Sequence, residues 1–216
     1  MKPRTQLGFL ASVFILGIAL PVVAYEYPLS STSIRDAYFL GKHNDERTAV
    51  FLARYWQSLP KPKTGPHVAL IGLETPFTQI VDYTRGASND RLPDALEKFE
   101  DKPSAFRVYV DIYLTASYWP IPQSKLPLLY VWVPDFWNDF KVRLRQDKEI
   151  PAQVVRGGPL YSYGGEGEYE GPAGVIGARV ALEYDAEKID SEPTTVEVIA
   201  PDGQQVEATF DLTSLR

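Results

Sequence analysis

The chain has 216 residues, of which 22 are Lys or Arg and 28 are Asp or Glu, and its formal net charge is −6. This acidic balance argues against nucleic acid and anionic membrane surfaces as partners, because both bind basic surfaces. The sequence contains no cysteine and two histidines, which excludes disulfides, a thiolate nucleophile and cysteine-based metal sites, and we predict no cofactor.

Residues 1–24 have the three parts of an export signal. Lys2 and Arg4 give a positively charged start, an uncharged apolar stretch follows, and small residues end the segment. The sequence therefore predicts cleavage between Ala24 and Tyr25 and export to the periplasm or the extracellular space, with no stable membrane insertion afterwards. The alternative is an anchor formed by an uncleaved N-terminal helix, because the uncharged run approaches the roughly 20 residues that span a bilayer.

Residues 25–103 are predicted to form a helical N-terminal part with one central strand. Apolar residues recur at helical spacing, and residue types typical of helix starts precede them. The predicted elements are helices that begin at Ser33, at Asn44 or Asp45 (running to Leu59) and at Thr75, a helix over 90–100, and a strand over 68–73. That strand is apolar on both faces, as expected of a strand covered on each side.

Residues 104–216 are predicted to form a β-sandwich. Apolar residues alternate with polar ones from Phe106 onwards, and about seven short strands separated by turn signals are expected, as in an Ig-like sandwich. The predicted fold class is α+β, with N-terminal helices packed on a mostly antiparallel, Ig-like sandwich in one compact unit. An open sheet covered by helices is the alternative. Because Tyr109 and Tyr113 lie on the polar side of the first strand, we expect the N-terminal helices to cover them.

Three aromatic residues in predicted loops, Trp119, Phe136 and Trp137, are candidate ligand contacts. Exposed loop aromatics on a sandwich offer a large contact area to protein and glycan partners. The alternative is that these side chains plug the ends of the core, because large aromatic residues are mostly buried.

An acidic, glycine-rich segment contains a second candidate site, formed by Glu166, Glu168 and Glu170. In an extended strand these carboxylates share one face and could bind Ca²⁺, although the run lacks the Asp-rich pattern of calcium loops. The sequence leaves cation binding at this segment open.

Other charged and titratable residues have simpler interpretations. His43 is predicted to lie in a solvated turn, and His67 is predicted to form a hydrogen bond at a strand end. Lys141, Arg143 and Arg145 are predicted to mark the outward side of a strand, or to protect an edge strand.

No residue pattern selects a catalytic group. The chain lacks a Gly-x-Ser-x-Gly motif, and nothing singles out one pair among its 28 acidic residues for carboxylate catalysis. We therefore predict a non-enzymatic binding or structural module of the cell envelope or extracellular space, with an unknown protein or glycan as partner. The alternative is a cofactor-independent glycan hydrolase that uses a carboxylate pair.

Overall fold

The structure, a computed structural model, describes residues 24–86, 91–100, 105–120, 135–162 and 174–216. Within these ranges the chain forms four α-helices and nine β-strands, and the strands make two antiparallel sheets. The predicted α+β class is therefore confirmed. The helices are α1 (Ser31–His43), α2 (Glu46–Ala53), α3 (Pro76–Gly86) and α4 (Leu92–Glu100).

Five of the described strands form the first sheet. In spatial order they are β1 (Trp56–Ser58), β2 (His67–Glu74), β3 (Phe106–Tyr113), β7 (Val175–Tyr184) and β6 (Val154–Tyr161). β2 lies in the predicted N-terminal part and β3 in the predicted C-terminal part. Their antiparallel pairing joins both parts in one sheet.

The other four described strands form the second sheet, in the order β5 (Glu149–Ile150), β4 (Lys141–Arg145), β8 (Pro193–Ile199) and β9 (Gln205–Asp211). β4 pairs with β8 along its length but with β5 only at Leu144 and Arg145, so among the described strands the edge-strand interpretation holds at Lys141 and Arg143 and fails at Arg145. The other interpretation, an outward strand face, is confirmed. Arg143 approaches Glu197 at 3.5 Å and Arg145 approaches Glu207 at 3.3 Å on that face.

The starts of the first two helices are set by side chains that cap the first turn. Ser30 accepts a hydrogen bond from the Ser33 N–H at the start of α1, and Asp45 accepts one from the Thr48 N–H at the start of α2. Asn44 takes the left-handed conformation that ends α1. The first helix therefore begins about one turn earlier than predicted.

The second helix is shorter than predicted. α2 ends at Ala53 and the chain continues into β1, so the prediction of one helix reaching Leu59 is wrong. Tyr55 is 1% exposed, and its carbonyl oxygen accepts a hydrogen bond from the Leu73 N–H of β2. Burial of Tyr55 and pairing with β2 outweigh the helical spacing, because intrinsic helix propensity is weak beside tertiary contacts.

One hydrophobic cluster combines the inward faces of both sheets. Its β3 members are Phe106, Val108, Val110 and Ile112, and its members from the second sheet include Leu144, Val196, Val198, Ala208 and Phe210. The alternation along β3 thus gives this strand one apolar and one polar side. A separate cluster holds the helices together, and its buried members are Ile34, Ala37, Leu52, Phe77, Ile80 and Val81.

Candidate functional site

The polar side of the first sheet is the candidate site. Because β3 turns its apolar residues into the core, Arg107, Tyr109 and Asp111 lie on the opposite side. Strand register places polar and aromatic residues of β1, β2 and β7 beside them on this side. We define the aromatic–ionic face by the side chains of Trp56, Glu74, Arg107, Tyr109, Asp111 and Arg179.

Trp56 of β1 reaches across β2 to Tyr109 of β3. The two ring centroids are 6.0 Å apart and the ring planes differ by 20°, so the half-buried rings form a nearly parallel pair. Gly72 stands between them in the strand register, and a Cβ atom at this position would overlap the indole ring. Glycine at position 72 therefore lets the indole lie directly on the sheet.

Arg179 of β7 and Asp111 of β3 form a two-point ion pair. The Nε atom of Arg179 donates to Oδ1 of Asp111 at 2.6 Å, and its Nη2 atom donates to Oδ2 at 2.8 Å. The Asp111 side chain is 5% exposed, whereas that of Arg179 is 44% exposed. Hydrogen bonding to Asp111 raises the pKa of Arg179, and the fork geometry holds the guanidinium in one orientation.

The same guanidinium lies close to both aromatic rings. Its central carbon is 5.9 Å from the Trp56 ring centroid and 5.8 Å from the Tyr109 ring centroid. Both distances are within the range of cation–π attraction. Asp111 therefore holds an accessible cation against the ring pair, and indole, phenol and guanidinium together make a continuous surface of planar groups.

Arg107 joins two carboxylates beside the ring pair. Its Nη1 atom donates to Oε2 of Glu74 at 3.0 Å, and its Nε atom donates to Oε1 of Glu183 at 3.3 Å. The Tyr109 hydroxyl donates to the same Glu74 oxygen at 2.9 Å. Burial, and then the negative charge of Glu74, raise the pKa of Tyr109 to about 12. The hydroxyl therefore remains a hydrogen-bond donor at neutral pH.

The candidate cation ligands Glu166, Glu168 and Glu170 lie outside the described residues. In the part of the chain that the structure describes, no group of three or more His, Cys, Asp or Glu side chains is placed to hold a metal ion. The carboxylates of Glu74 and Asp111 are instead bonded to arginine and tyrosine side chains. These two carboxylates therefore orient neighbouring side chains through hydrogen bonds and do not form a metal site with other described residues.

The three loop aromatics that the sequence predicts as ligand contacts have different environments. Phe136 and Trp137 are 3% and 8% exposed, and their rings pack edge to face with centroids 5.5 Å apart. The Trp137 indole also covers Gly157 of β6. Both side chains therefore fill the core, as the alternative interpretation expects. Trp119 is 53% exposed in the loop after β3 and remains a candidate contact.

The two residues at the predicted cleavage point, Ala24 and Tyr25, differ in burial. Ala24 is half-buried, and Tyr25 is buried. The Tyr25 N–H donates to the Leu212 carbonyl oxygen at 3.0 Å, and its hydroxyl donates to the Ala186 carbonyl oxygen at 3.0 Å. Tyr25 is therefore an integral core residue.

The two histidines make local contacts. His67 Nε2 lies 3.1 Å from the Leu59 carbonyl oxygen at the start of β2, which confirms the predicted strand-end hydrogen bond. His43 is the exposed last residue of α1, and its Nδ1 lies 2.6 Å from the Phe39 carbonyl oxygen. His43 thus closes a helix rather than lying in a separate turn.

The sequence did not identify Trp56 or Arg179 as members of the site. Trp56 fell within a predicted helix, and Arg179 meets Asp111 only through the pairing of strands that are distant in the chain. The alternation along β3 was the usable signal, since it separated polar from apolar positions. The N-terminal helices were expected to cover Tyr109 and Tyr113. In the described residues Tyr109 is instead covered by Trp56 of β1, and Tyr113 is 39% exposed.

Comparison of the chain with protein-family models, with curated proteins and with solved structures gave no match. Among the described helices, none combines the length and the apolar character needed to cross a bilayer. A functional assignment therefore depends on the chemistry of the aromatic–ionic face itself.

Proposed function

We propose that the chain is an exported, non-enzymatic binding module that contacts its partner through the aromatic–ionic face. The observation that carries this proposal is the Arg179 guanidinium, which Asp111 holds against the Trp56 and Tyr109 rings. Tryptophan, tyrosine and arginine dominate the energetics of binding surfaces, because they combine large contact area with directed hydrogen bonds. The face is accessible, since the Arg179 side chain is 44% exposed.

The proposed scaffold for this face is an immunoglobulin-like sandwich. The order β2-β3-β7-β6 corresponds to strands A-B-E-D, and the order β5-β4-β8-β9 corresponds to C′-C-F-G. The hydrophobic cluster that draws on both sheets supports the same assignment. In this proposal β1 and the helices are additions to the sandwich, and β1 contributes Trp56 to the binding surface.

Export with cleavage between Ala24 and Tyr25 is part of the proposal. Its support is the position of Tyr25, because a chain that starts there retains this core side chain and its hydrogen bond to Ala186. Mass analysis of the protein purified from the source organism should give Tyr25 as the N-terminal residue. An intact chain beginning at Met1 in the membrane fraction would support the anchored alternative.

The binding experiment compares two arginine variants. Arg179 and Arg145 are matched, because each side chain is 44% exposed and paired with a carboxylate on an outer sheet face. The wild-type chain and the Arg179→Ala and Arg145→Ala variants are immobilised at equal density and exposed to an envelope extract of the source organism. Bound protein and bound carbohydrate are then quantified separately.

We expect Arg179→Ala to reduce the bound material about tenfold, which corresponds to the loss of one strong contact. Arg145→Ala should bind as the wild-type chain does. Equal binding by all three chains would exclude the aromatic–ionic face, and no binding by the wild-type chain would contradict the module itself.

A glycan hydrolase is the second candidate, and one observation favours it. Glu74 and Glu183 both approach Arg107, so two carboxylates lie near each other on the same face. Because Arg107 donates to both, the arrangement suits a structural ion-pair network better than an acid and a base with separate roles. Release of reducing ends from the extract, abolished by Glu74→Gln, would establish the hydrolase instead.

A further inference from the structure

We infer that the ligand of the aromatic–ionic face is an uncharged glycan that lies across the strands of the first sheet. This inference rests on the proposed function, because it names the ligand class of the same surface. Three properties of the face lead to it, namely its shape, its hydrogen-bonding groups and its balance of charge.

The face has a raised aromatic side and a low floor beside it. Trp56 and Tyr109 form the raised side. The floor consists of Ala181, which pairs with Tyr109, and Gly158, which pairs with Arg179. The exposed Arg156 borders it beside Ala181. A Cβ atom at Gly158 would meet nothing within 4 Å among the described residues. A flat ligand can therefore rest on the floor and extend over the rings.

The ring pair suits the apolar side of a sugar. A pyranose ring presents aligned C–H groups on one side, and these pack on an aromatic ring as other apolar groups do. The rings of Trp56 and Tyr109 differ by 20° in plane and have centroids 6.0 Å apart, and both residues are half-buried, so part of this aromatic surface is open to a sugar. Gly72 beneath the indole keeps that surface close to the sheet.

The hydrogen-bonding groups around the rings suit hydroxyl groups. The pair with Asp111 uses Nε and Nη2 of Arg179 and leaves Nη1 directed away from the carboxylate. The Glu74 carboxylate, whose side chain is 16% exposed, provides a fixed acceptor on the same face. Because a hydroxyl group both donates and accepts, a polyhydroxylated ligand can satisfy this mixture.

The charges of the face are balanced, which favours an uncharged ligand. Arg107 is paired with Glu74 at 3.0 Å, Arg179 with Asp111 at 2.6 Å, and Arg156 approaches Glu183 at 3.7 Å. An anionic glycan would need unpaired cations, and none of these three arginines is unpaired. A protein partner is less suited, because Asp and Glu are depleted at the centres of protein interfaces, whereas this face carries Glu74, Asp111 and Glu183.

Affinity electrophoresis tests the inference directly. The wild-type chain is run through gels that contain a neutral polysaccharide (a β-glucan, an α-glucan or a galactomannan) and through gels that contain polygalacturonate or heparin. We expect at least one neutral polysaccharide to retard the chain. Its apparent Kd should change less than about twofold between about 50 and 500 mM NaCl, because no charge on the ligand is screened.

Three variants identify the surface used. Trp56→Ala should weaken retardation about tenfold, whereas Trp119→Ala, which removes the exposed loop tryptophan, should leave it unchanged. Gly158→Leu adds a side chain to the open floor at a strand position where a Cβ atom would meet nothing within 4 Å among the described residues. It should therefore reduce binding while the thermal unfolding transition stays in place, which separates blocked binding from misfolding.

The possible failures are distinguishable. No retardation by any neutral polysaccharide, or retardation by anionic polymers alone with a steep salt dependence, would overturn the uncharged-glycan inference. If binding from the envelope extract still depended on Arg179 in that case, the proposed binding face would stand with a different ligand. Retardation unchanged in both Trp56→Ala and Gly158→Leu would place the glycan elsewhere and overturn the inference as well.

Discussion

The Tyr55 hydroxyl and the Arg216 backbone are joined by two hydrogen bonds. The hydroxyl donates to the Arg216 carbonyl oxygen at 2.9 Å and accepts from the Arg216 N–H at 2.9 Å. The Arg216 guanidinium lies 4.5 Å from the Phe77 ring centroid and 3.2 Å from an Asp36 oxygen. Arg216 thus connects α1 and α3 with the residue that precedes β1.

Removing the Tyr55 hydroxyl should destabilise the protein. Tyr55→Phe leaves the Arg216 N–H and carbonyl oxygen without this partner at a part-buried site, so we expect a loss of about 1–3 kcal/mol in the free energy of unfolding. Tyr161→Phe is the control, because Tyr161 is 49% exposed. Urea unfolding should show a change of less than about 0.5 kcal/mol for the control. Equal effects of the two variants would contradict the role of the Tyr55 hydroxyl.

Stability should fall in alkaline solution because the folded state raises the pKa of several tyrosines, among them Tyr55 and Tyr109. Burial raises the pKa of Tyr55 to about 12, and burial together with Glu74 raises that of Tyr109 to about 12, from the ordinary tyrosine value of 10.0. Because the folded state holds these protons more tightly, the stabilisation is present below pH 10 and is lost as the pH rises towards 12. Urea unfolding between these pH values measures the decline.

The Tyr55→Phe variant isolates this contribution from other groups that titrate above pH 10. Its free energy of unfolding should decline less steeply with pH than that of the wild-type chain. Parallel declines in both proteins would show that Tyr55 ionises alike in the folded and unfolded states.

Gly41 is required where α1 crosses α3. A Cβ atom at this position would overlap the Thr84 hydroxyl oxygen and the Val81 carbonyl oxygen. We expect Gly41→Ala to cost about 1–3 kcal/mol, since overpacking at a rigid contact exceeds the gain in helix propensity of up to about 1 kcal/mol. Gly86→Ala is the matched control, because a Cβ atom there meets nothing within 4 Å among the described residues. Thermal unfolding should show no loss for Gly86→Ala, and a loss as large as that of Gly41→Ala would refute the steric explanation.

Breaking the Arg179–Asp111 pair should lower the free energy of unfolding. Asp111→Asn replaces a carboxylate that is 5% exposed, but Arg179 is 44% exposed and can be solvated. We therefore expect a loss of about 1–3 kcal/mol, below the value for a fully buried pair. Glu207→Gln, in an exposed pair with Arg145, should cost less than about 1 kcal/mol. Chemical denaturation compares the two variants, and a larger loss for Glu207→Gln would be contrary to this account.

The β-rich architecture was predictable where the pattern was local. The alternation along β3 separates Phe106 and Val108 from Arg107 and Tyr109, because successive side chains of a strand point to opposite sides. The strand at 68–73, which corresponds to β2, was identified by a different local pattern, an apolar run on both of its faces. The prediction of a helix to Leu59 was wrong, because helical spacing in the sequence carries no information about the burial of Tyr55 in the core.

The candidate site was predictable only in its β3 members. Arg107, Tyr109 and Asp111 were separated from the core side by the alternation, but their partners come from strands whose register the sequence does not state. Trp56 reaches Tyr109 because Gly72 lies between them, and Arg179 reaches Asp111 across the β3–β7 pairing.

The sequence by itself determined the α+β class, the two-sided character of β3 and the shortage of groups for thiol or histidine-based chemistry. These properties depend on composition and on short-range periodicity, because the backbone geometry of a helix or strand fixes which side each successive side chain occupies. The tertiary structure alone decided which aromatics fill the core and which planar groups meet on the outer side of the first sheet. That choice depends on strand order and register, which are set by the packing of residues far apart in the chain.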